Sequence, residues 1–201
     1  LGKIDVQGPD ASTFIERIYA NNLATLAVGR TRYGIMLRED GFMMDDGTAA
    51  RLAENRYLIT TTTSHAVGVY QHMHLCHQAL WPELDVQFVS VTDQWAQFAV
   101  AGPRSRELLQ RVLDPGCDVS NDVFPFMAAG EVRLRDGQPA RLFRISFSGE
   151  LAYEIAVPGK QGDALIRTLF DAGKDLGVTP YGLEALNVLR VEKDHCTGSE
   201  L

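Results

Sequence analysis

Two stretches, IDVQGPDASTFIERIY at residues 4–19 and FAVAGPRSRELLQRVL at residues 98–113, follow the same plan. Each begins as a short strand, passes through Gly-Pro, and continues with apolar residues at helical spacing. Pro9 and Pro103 suit the first turn of a helix, where the missing N–H has no partner to lose. The chain therefore contains an internal repeat, and this repeat determines the fold we predict.

The sequence after each copy matches as well. Hairpin turns are predicted at Asp40-Gly41 and Asp136-Gly137, and residues 56–80 and 150–170 each predict a strand followed by a helix. Each half thus reads strand, helix, hairpin, strand, helix. This order indicates an α+β fold made of two pseudo-repeated ferredoxin-like units with mostly antiparallel sheets.

We expect the first unit at residues 1–93 and the second, with a following helix, at residues 94–201. That helix is predicted from TPYGLEALNVLRVEK, with Thr179 as its N-cap and Pro180 in its first turn. Because the chain opens directly in a strand and stops soon after this helix, we expect it to be a fragment of a longer protein.

Composition narrows the possible functions. The 201 residues are 45% hydrophobic and carry a formal net charge of −7, the balance of a soluble globular protein without the basic face of a nucleic-acid binder. No apolar run reaches the roughly 18 residues of a membrane span, and no secretory signal is visible. Three cysteines without CxxC spacing favour a reduced, cytoplasmic protein.

Two adjacent carboxylates, Asp45 and Asp46, interrupt a predicted strand in GFMMDDGTAARL, residues 41–52. Successive strand side chains point to opposite faces, so the two cannot act as one carboxylate pair. At most one enters a pocket, and the other faces solvent or caps a turn. The alternative is a bend or bulge in which Gly47 supplies an unusual backbone conformation.

A further carboxylate, Glu154, lies in the predicted strand of SGELAYEIAV, residues 148–157. Large apolar residues alternate along one face, while Ala152, Glu154 and Ala156 share the other. The glutamate is therefore either a surface residue of an edge strand or a carboxylate aimed into a pocket from a central strand.

Two other clusters are less informative. In HMHLCH, residues 72–77, the pairs His72/Cys76 and His74/His77 are each one helical turn apart but point in different directions, so we expect no metal site. The run TTTT at residues 60–63 is explained by strand propensity, and Thr63 or Ser64 could cap the next helix.

Several stretches, in this order and spacing, resemble the folate-binding aminomethyltransferase family that includes the glycine-cleavage T-protein. They are YGIMLREDGFMMDDGTAARL, NRYLITTTT, QWAQFAVAGPRSRELL, VSNDVFPFM, FSGELAYEIAVP and TPYGLEALNVLRVEK. The resemblance is strongest to the branch found in the α subunits of bacterial heterotetrameric sarcosine oxidases. It covers nearly the whole chain and implies an aminomethyltransferase fold whose small C-terminal barrel we expect to be missing here.

The resemblance implies a tetrahydrofolate site between the two units. It places Asp46 as the catalytic residue, near the folate nitrogens that accept the one-carbon unit, and Tyr33 against the folate. Glu154 corresponds to the glutamate that binds the pterin, whose adjacent N–H donors suit a carboxylate. Thr62 is expected as a further folate contact.

Two departures from the glycine-cleavage enzymes favour the sarcosine oxidase branch: Leu186 replaces their arginine, and Phe147 replaces a tyrosine. The resemblance then implies that the chain traps the one-carbon unit of sarcosine as 5,10-methylenetetrahydrofolate. The other subunits of the heterotetramer would be its partners. FAD, FMN and NAD would bind elsewhere in the complex, since no G-x-G-x-x-G occurs here. The alternatives are a glycine-cleavage-type or dimethylglycine-oxidising enzyme, or a non-catalytic folate-binding module.

Overall fold

The computed structural model describes residues 1–195 of the chain. Residues 196–201, which include Cys196 and the end of the predicted second unit, lie outside the described residues. The described chain forms two compact units, the first at residues 1–92 and the second from residue 93 onward. The domain bounds drawn from the sequence, 1–93 and 94–201, stay a prediction.

The first unit is one antiparallel sheet with helices, and its strands run in the order β2-β3-β4-β1-β5. Its elements are β1 (Gly2–Gln7), α1 (Ala11–Ile18), β2 (Arg30–Leu37), β3 (Met43–Ala53), β4 (Arg56–Thr61), α2 (Ala66–Leu75) and β5 (Gln87–Ser90). Helix α2 continues into a π-helical turn at Cys76–Leu80.

The second unit repeats this arrangement with four strands in the order β6-β9-β8-β7. Its elements are β6 (Trp95–Ala101), α3 (Ser105–Val112), β7 (Ala129–Arg133), β8 (Pro139–Phe143), β9 (Ala152–Pro158), α4 (Gly162–Ala172) and α5 (Leu183–Glu192). This order matches β1-β4-β3-β2 of the first unit. The predicted α+β fold with two antiparallel sheets is confirmed.

The Gly-Pro pairs form turns ahead of the helices. Gly8 and Gly102 have φ angles of +138° and +119°, a region that favours glycine, and their carbonyls accept the N–H groups of Ala11 and Ser105. The two prolines lie inside these turns. The prediction that they occupy the first helical turn is wrong, because the helices begin at Ala11 and Ser105.

Each unit buries its own apolar cluster. The first cluster includes Ile4, Val6, Phe14, Ile15, Tyr57, Ile59, Val69 and Met73. The second includes Leu108, Leu109, Tyr153, Ile155, Val157, Leu165 and Leu169. The helix faces predicted from the repeat are therefore the faces that are buried.

Helix α5 begins later than its sequence suggests. Its N-cap is Gly182, whose ψ of −177° is extended, and no side chain caps the helix. This extended residue separates Thr179 and Pro180 from the helix, so the predicted start at those residues is wrong. Most of the helix surface is exposed, including Leu183, Val188 and Val191.

A close approach of two strands explains Gly47. A Cβ atom at this position would lie 1.9 Å from the carbonyl oxygen of Thr60 on β4. No real contact is that short, so any side chain would force β3 and β4 apart. Gly47 directly follows the two aspartates, and its lack of a side chain keeps their strand seated in the sheet.

We expect Gly47→Ala to destabilise the protein by about 1–3 kcal/mol, the usual cost of overpacking. Gly68→Ala is the matched control, because Gly68 lies in α2 and a Cβ there meets nothing within 4 Å. It should stabilise by about 0.5–1 kcal/mol through helix propensity. Urea unfolding measures both changes, and equal stabilities of the two variants would contradict the close approach.

Candidate functional site

Strand β3 carries both aspartates inside the sheet, between β2 and β4. Asp45 pairs with Met36 and Asp46 with Ile35, so the two side chains leave on opposite faces as predicted. Both are nonetheless buried, with 2% and 9% of their surface exposed. The prediction that one of them faces solvent is wrong, because hydrogen-bond donors from neighbouring elements cover both; Asp45 instead accepts the N–H of Thr62 at the start of the turn Thr62–His65.

Asp46 is held by Tyr33. The phenol of Tyr33 donates to Asp46 Oδ2 at 2.9 Å. Tyr33 lies two residues from Ile35, the partner of Asp46 in the ladder, so both side chains occupy the same face of β2 and β3. A hydrogen bond to a charged group contributes about 1.5–3 kcal/mol and offsets part of the cost of burying the carboxylate. The structure thus brings together two of the predicted site residues.

Asp45 is held from the other face of β3. Its oxygens accept the backbone N–H of Thr62 at 3.2 and 3.3 Å, and Oδ1 lies 3.2 Å from Nδ1 of His65. These donors come from the junction between β4 and α2, which Asp45 therefore ties to β3. Burial raises the pKa of Asp45; the hydrogen bonds from Thr62 and His65 offset part of the increase, and the charge of Asp46 adds to it.

Thr62 directly follows β4, and hydrogen bonds from both its side chain and its backbone oppose the rise in the pKa of Asp45. Besides donating to Asp45, it accepts the N–H of His65 and the hydroxyl of Thr61 through its carbonyl, each at 3.1 Å. A folate contact of Thr62 stays a prediction.

Glu154 lies on β9, which runs between β6 and β8. The interpretation as an edge-strand surface residue is wrong, since Glu154 pairs with Ala99 on one side and Phe143 on the other, and it is half-buried. The Nε2 group of Gln97, on the same face of the sheet, donates to Glu154 Oε2. The Oε1 atom of Gln97 is buried and finds no hydrogen-bond partner among residues 1–195. Two acceptor groups therefore lie side by side on this face.

The histidine-rich helix serves as packing. His72 Nε2 lies 3.5 Å from the sulfur of Cys76, whereas His77 contacts the carbonyl of Leu84 at 3.0 Å. The ring of His74 lies against Phe88. Across residues 1–195, no group of three or more His, Cys, Asp or Glu side chains could hold a metal ion.

Comparison with known proteins agrees with this fold. The family described as GCVT N-terminal domain matches the chain over residues 1–201. The chain belongs to this family. Within the described residues of this GCVT domain, no helix is long and apolar enough to cross a membrane.

Three known proteins are similar to this GCVT domain in sequence or in structure. It is 55% identical over 202 residues to the sarcosine oxidase subunit alpha of Rhizobium meliloti strain 1021, covering all of this chain and 20% of that relative. It matches the glycine cleavage system aminomethyltransferase T of Bartonella henselae with a TM-score of 0.81 and 27% identity, over 97% of this chain and 49% of that one. The heterotetrameric sarcosine oxidase of Corynebacterium sp. U-96 shares the fold, with a TM-score of 0.60 and 14% identity over 90% of this chain and 83% of that one.

These matches confirm the resemblance predicted from the sequence. The chain spans about a fifth of the length of the sarcosine oxidase relative and about half of the aminomethyltransferase chain.

Sequence reasoning missed the partners of both carboxylates in this GCVT domain. His65 is 20 residues from Asp45 and Gln97 is 57 residues from Glu154, so no local motif connects either pair. The pairing of β6 with β9 places Gln97 opposite Ala156, so its side chain lies on the same face as Glu154.

The raised pKa of Asp45 predicts a pH dependence. Because the folded state binds this proton more tightly than the unfolded chain, the contribution to stability is present near and below the ordinary pKa of 3.8 and is lost as the pH rises through the raised value. Asp45→Asn has no titrating group at this position. The stability of the natural protein relative to this variant should therefore fall between acidic and neutral pH.

Urea unfolding of both proteins across this range measures the difference. Arg167 lowers the pKa of the exposed Asp163, and Lys174 lowers that of Asp171, so these carboxylates make the protein more stable as the pH rises. Both proteins contain them, so their contribution cancels in the difference between the two unfolding free energies. A difference that is constant or rises with pH would contradict the assignment.

Proposed function

We propose that this chain is the tetrahydrofolate-binding part of a sarcosine oxidase α subunit. It would trap the one-carbon unit from the oxidative demethylation of sarcosine as 5,10-methylenetetrahydrofolate. The observation that carries this proposal is the hydrogen bond between the buried Asp46 on β3 and the half-buried Tyr33 on β2 of a GCVT domain. The 55% identity to a sarcosine oxidase α subunit supports the choice of this branch over the glycine-cleavage enzymes.

Asp46 is suited to act on a nitrogen centre. Tetrahydrofolate, when bound, supplies the ring nitrogen that accepts the one-carbon unit. A carboxylate that is largely removed from water can take the proton that this nitrogen loses, or stabilise positive charge on the one-carbon donor. The phenol of Tyr33, 2.9 Å away, fixes one carboxylate oxygen and so orients the group.

Glu154 and Gln97 are suited to a pterin ring. The pterin presents adjacent N–H donors, which a carboxylate accepts with two oxygens. Gln97 positions Glu154 through its amide N–H group, and its own buried carbonyl oxygen is a further acceptor. These two neighbouring acceptors fit a ligand that brings N–H groups. We propose Thr62 as a further folate contact.

The oxidation itself is proposed to occur elsewhere in the complex. The other subunits of a heterotetrameric sarcosine oxidase would be the partners of this chain, and FAD, FMN and NAD would bind outside it. We also propose a cytoplasmic location, with which the free thiols of Cys76 and Cys117 agree.

In the complete enzyme, we expect Asp46→Asn to leave sarcosine oxidation intact and to reduce methylenetetrahydrofolate formation by about 100- to 10,000-fold, the usual contribution of a general acid or base. Formaldehyde should be released instead. Tyr33→Phe should lower the same rate less, because it removes one orienting hydrogen bond and keeps the carboxylate. Product analysis by chromatography measures both products.

Asp45→Asn is the matched control, since its side chain lies on the other face of β3 and binds the junction of β4 and α2. It should alter stability more than product ratio. Equal losses of methylenetetrahydrofolate from both asparagine variants would mean that the hairpin acts through structure alone. An enzyme that binds folate but forms no such product would instead be a non-catalytic folate module.

We expect Glu154→Gln to weaken binding of a tetrahydrofolate analogue by roughly 10- to 150-fold. This range corresponds to the loss of one hydrogen bond to a charged group, about 1.5–3 kcal/mol. Glu184→Gln, on the exposed surface of α5, is the matched control and should leave the affinity unchanged. Calorimetric titration of the full-length protein provides the measurement. Unchanged affinity in the Glu154 variant would remove this residue from the folate site.

A further inference from the structure

Strand pairing places Gln97 to one side of Glu154. Gln97 of β6 lies opposite Ala156, two residues beyond Glu154 on β9, so both polar side chains occupy one face of the sheet. The amide N–H group of Gln97 donates to Glu154 Oε2 and joins the two into one hydrogen-bonded pair. A ligand that reaches Glu154 therefore has an amide on one flank of the carboxylate.

Tyr181 lies on the other flank of Glu154. Ala99 and Ala101 of β6 lie opposite Glu154 and Ala152 of β9. Both alanines line a cavity whose wall also includes Tyr181. This tyrosine comes from the segment just before α5, and 39% of its surface is exposed, so a ligand can reach it. Along β9 the polar groups therefore follow the order amide, carboxylate, phenol.

Electrostatic interactions also bring the phenol of Tyr181 close to this carboxylate. Burial raises the pKa of Tyr181, and the negative charges of Glu150 and then of Glu154 raise it further. Glu150 precedes β9 at the end that strand pairing assigns to Tyr181, and it accepts a hydrogen bond from the hydroxyl of Ser148. Because its pKa is raised, the phenol keeps its proton at neutral pH and stays a hydrogen-bond donor.

The pterin ring of tetrahydrofolate presents three hydrogen-bonding groups in a row. The 2-amino group and N3–H are donors, and the carbonyl oxygen O4 beside them is an acceptor. A carboxylate that accepts from both donors leaves O4 on one of its flanks. That flank must supply a donor, because a polar atom that loses water without gaining a partner costs free energy.

The two flanks of Glu154 differ in the group that they offer to such a ring. The carbonyl oxygen Oε1 of Gln97, which finds no hydrogen-bond partner among residues 1–195, is an acceptor. It suits the outer hydrogen of the 2-amino group and would repel O4. The phenol of Tyr181 is a donor and suits O4. The array of amide, carboxylate and phenol thus matches the edge of a 4-oxo pterin in one orientation.

We infer that Tyr181 donates a hydrogen bond to O4 of the pterin and so selects folates, which are 4-oxo pterins, over their 4-amino analogues. The inference rests on the proposed folate function and adds a specificity-determining residue to it. A 4-amino group is itself a donor, so it gains nothing from the phenol.

Calorimetric titration of the full-length protein tests this selection. The ligands are tetrahydrofolate and tetrahydroaminopterin, whose substituents at C4 are an oxygen and an amino group. Tyr181→Phe keeps the ring and removes the hydroxyl. We expect this variant to bind tetrahydrofolate about 2- to 12-fold more weakly, which corresponds to one neutral hydrogen bond of about 0.5–1.5 kcal/mol. Its affinity for tetrahydroaminopterin should be unchanged or higher.

Tyr70→Phe is the matched control, since it removes a phenol of the first unit that lies 3.3 Å from the carbonyl of Phe88. It should leave both affinities unchanged. Equal weakening of both ligands by Tyr181→Phe would mean that the residue acts through packing. That result, or unchanged binding of tetrahydrofolate, would overturn the inference while the folate function stands. A natural protein that binds neither ligand would overturn the folate function and the inference with it.

Infrared spectroscopy measures the hydrogen bond itself. With tetrahydrofolate that carries ¹³C at C4, an isotope difference spectrum isolates the stretch of the C4=O bond, whose frequency a hydrogen bond lowers. We expect the bound ligand to show a higher frequency in Tyr181→Phe than in the natural protein. The same frequency in both proteins would overturn the assignment of the phenol to O4, whatever the affinities.

Discussion

Two buried carboxylates on adjacent residues of one strand impose the main constraint on the first unit. A carboxylate that loses water without gaining donors costs several kcal/mol, so Asp45 and Asp46 each require partners. Because the strand turns them to opposite faces, no single element can supply both. Tyr33 comes from β2 on one face, and Thr62 and His65 come from the junction of β4 and α2 on the other. The position of β3 between β2 and β4 meets this requirement on both faces.

The same requirement fixes the register of the sheet. A slip of one residue would exchange the faces of the two aspartates and separate both from their donors. Gly47 opposes such a slip on the β4 side, since the carbonyl of Thr60 occupies the space of a side chain. The hydroxyls of Thr48 on β3 and Thr60 on β4 are 2.8 Å apart and form a hydrogen bond that holds the two strands in this register. Asp46 is therefore presented by a rigid part of the fold, which suits a group that must meet a ligand at a defined distance.

The sequence predicted those features that depend on local periodicity. The repeat, the antiparallel sheets and the alternation of Asp45 and Asp46 follow from spacing alone. The start of α5 was misplaced because the extended conformation of Gly182 has no signature in composition. The burial of both aspartates was missed because their donors lie 13 to 20 residues away in sequence. Long-range pairing decides burial, and one sequence carries little information about it.

The repeat also separates what the fold provides from what the function adds. Leu58 of β4 and Glu154 of β9 occupy equivalent positions in the two units. Each is preceded by a tyrosine, Tyr57 or Tyr153, that points into the core of its unit. Leu58 is buried, whereas Glu154 carries a carboxylate at the equivalent position and accepts a hydrogen bond from Gln97. An apolar residue would satisfy this position at no electrostatic cost, as the first unit demonstrates. A carboxylate in the second unit is therefore a departure from what folding requires, and such departures concentrate where a protein meets its ligand.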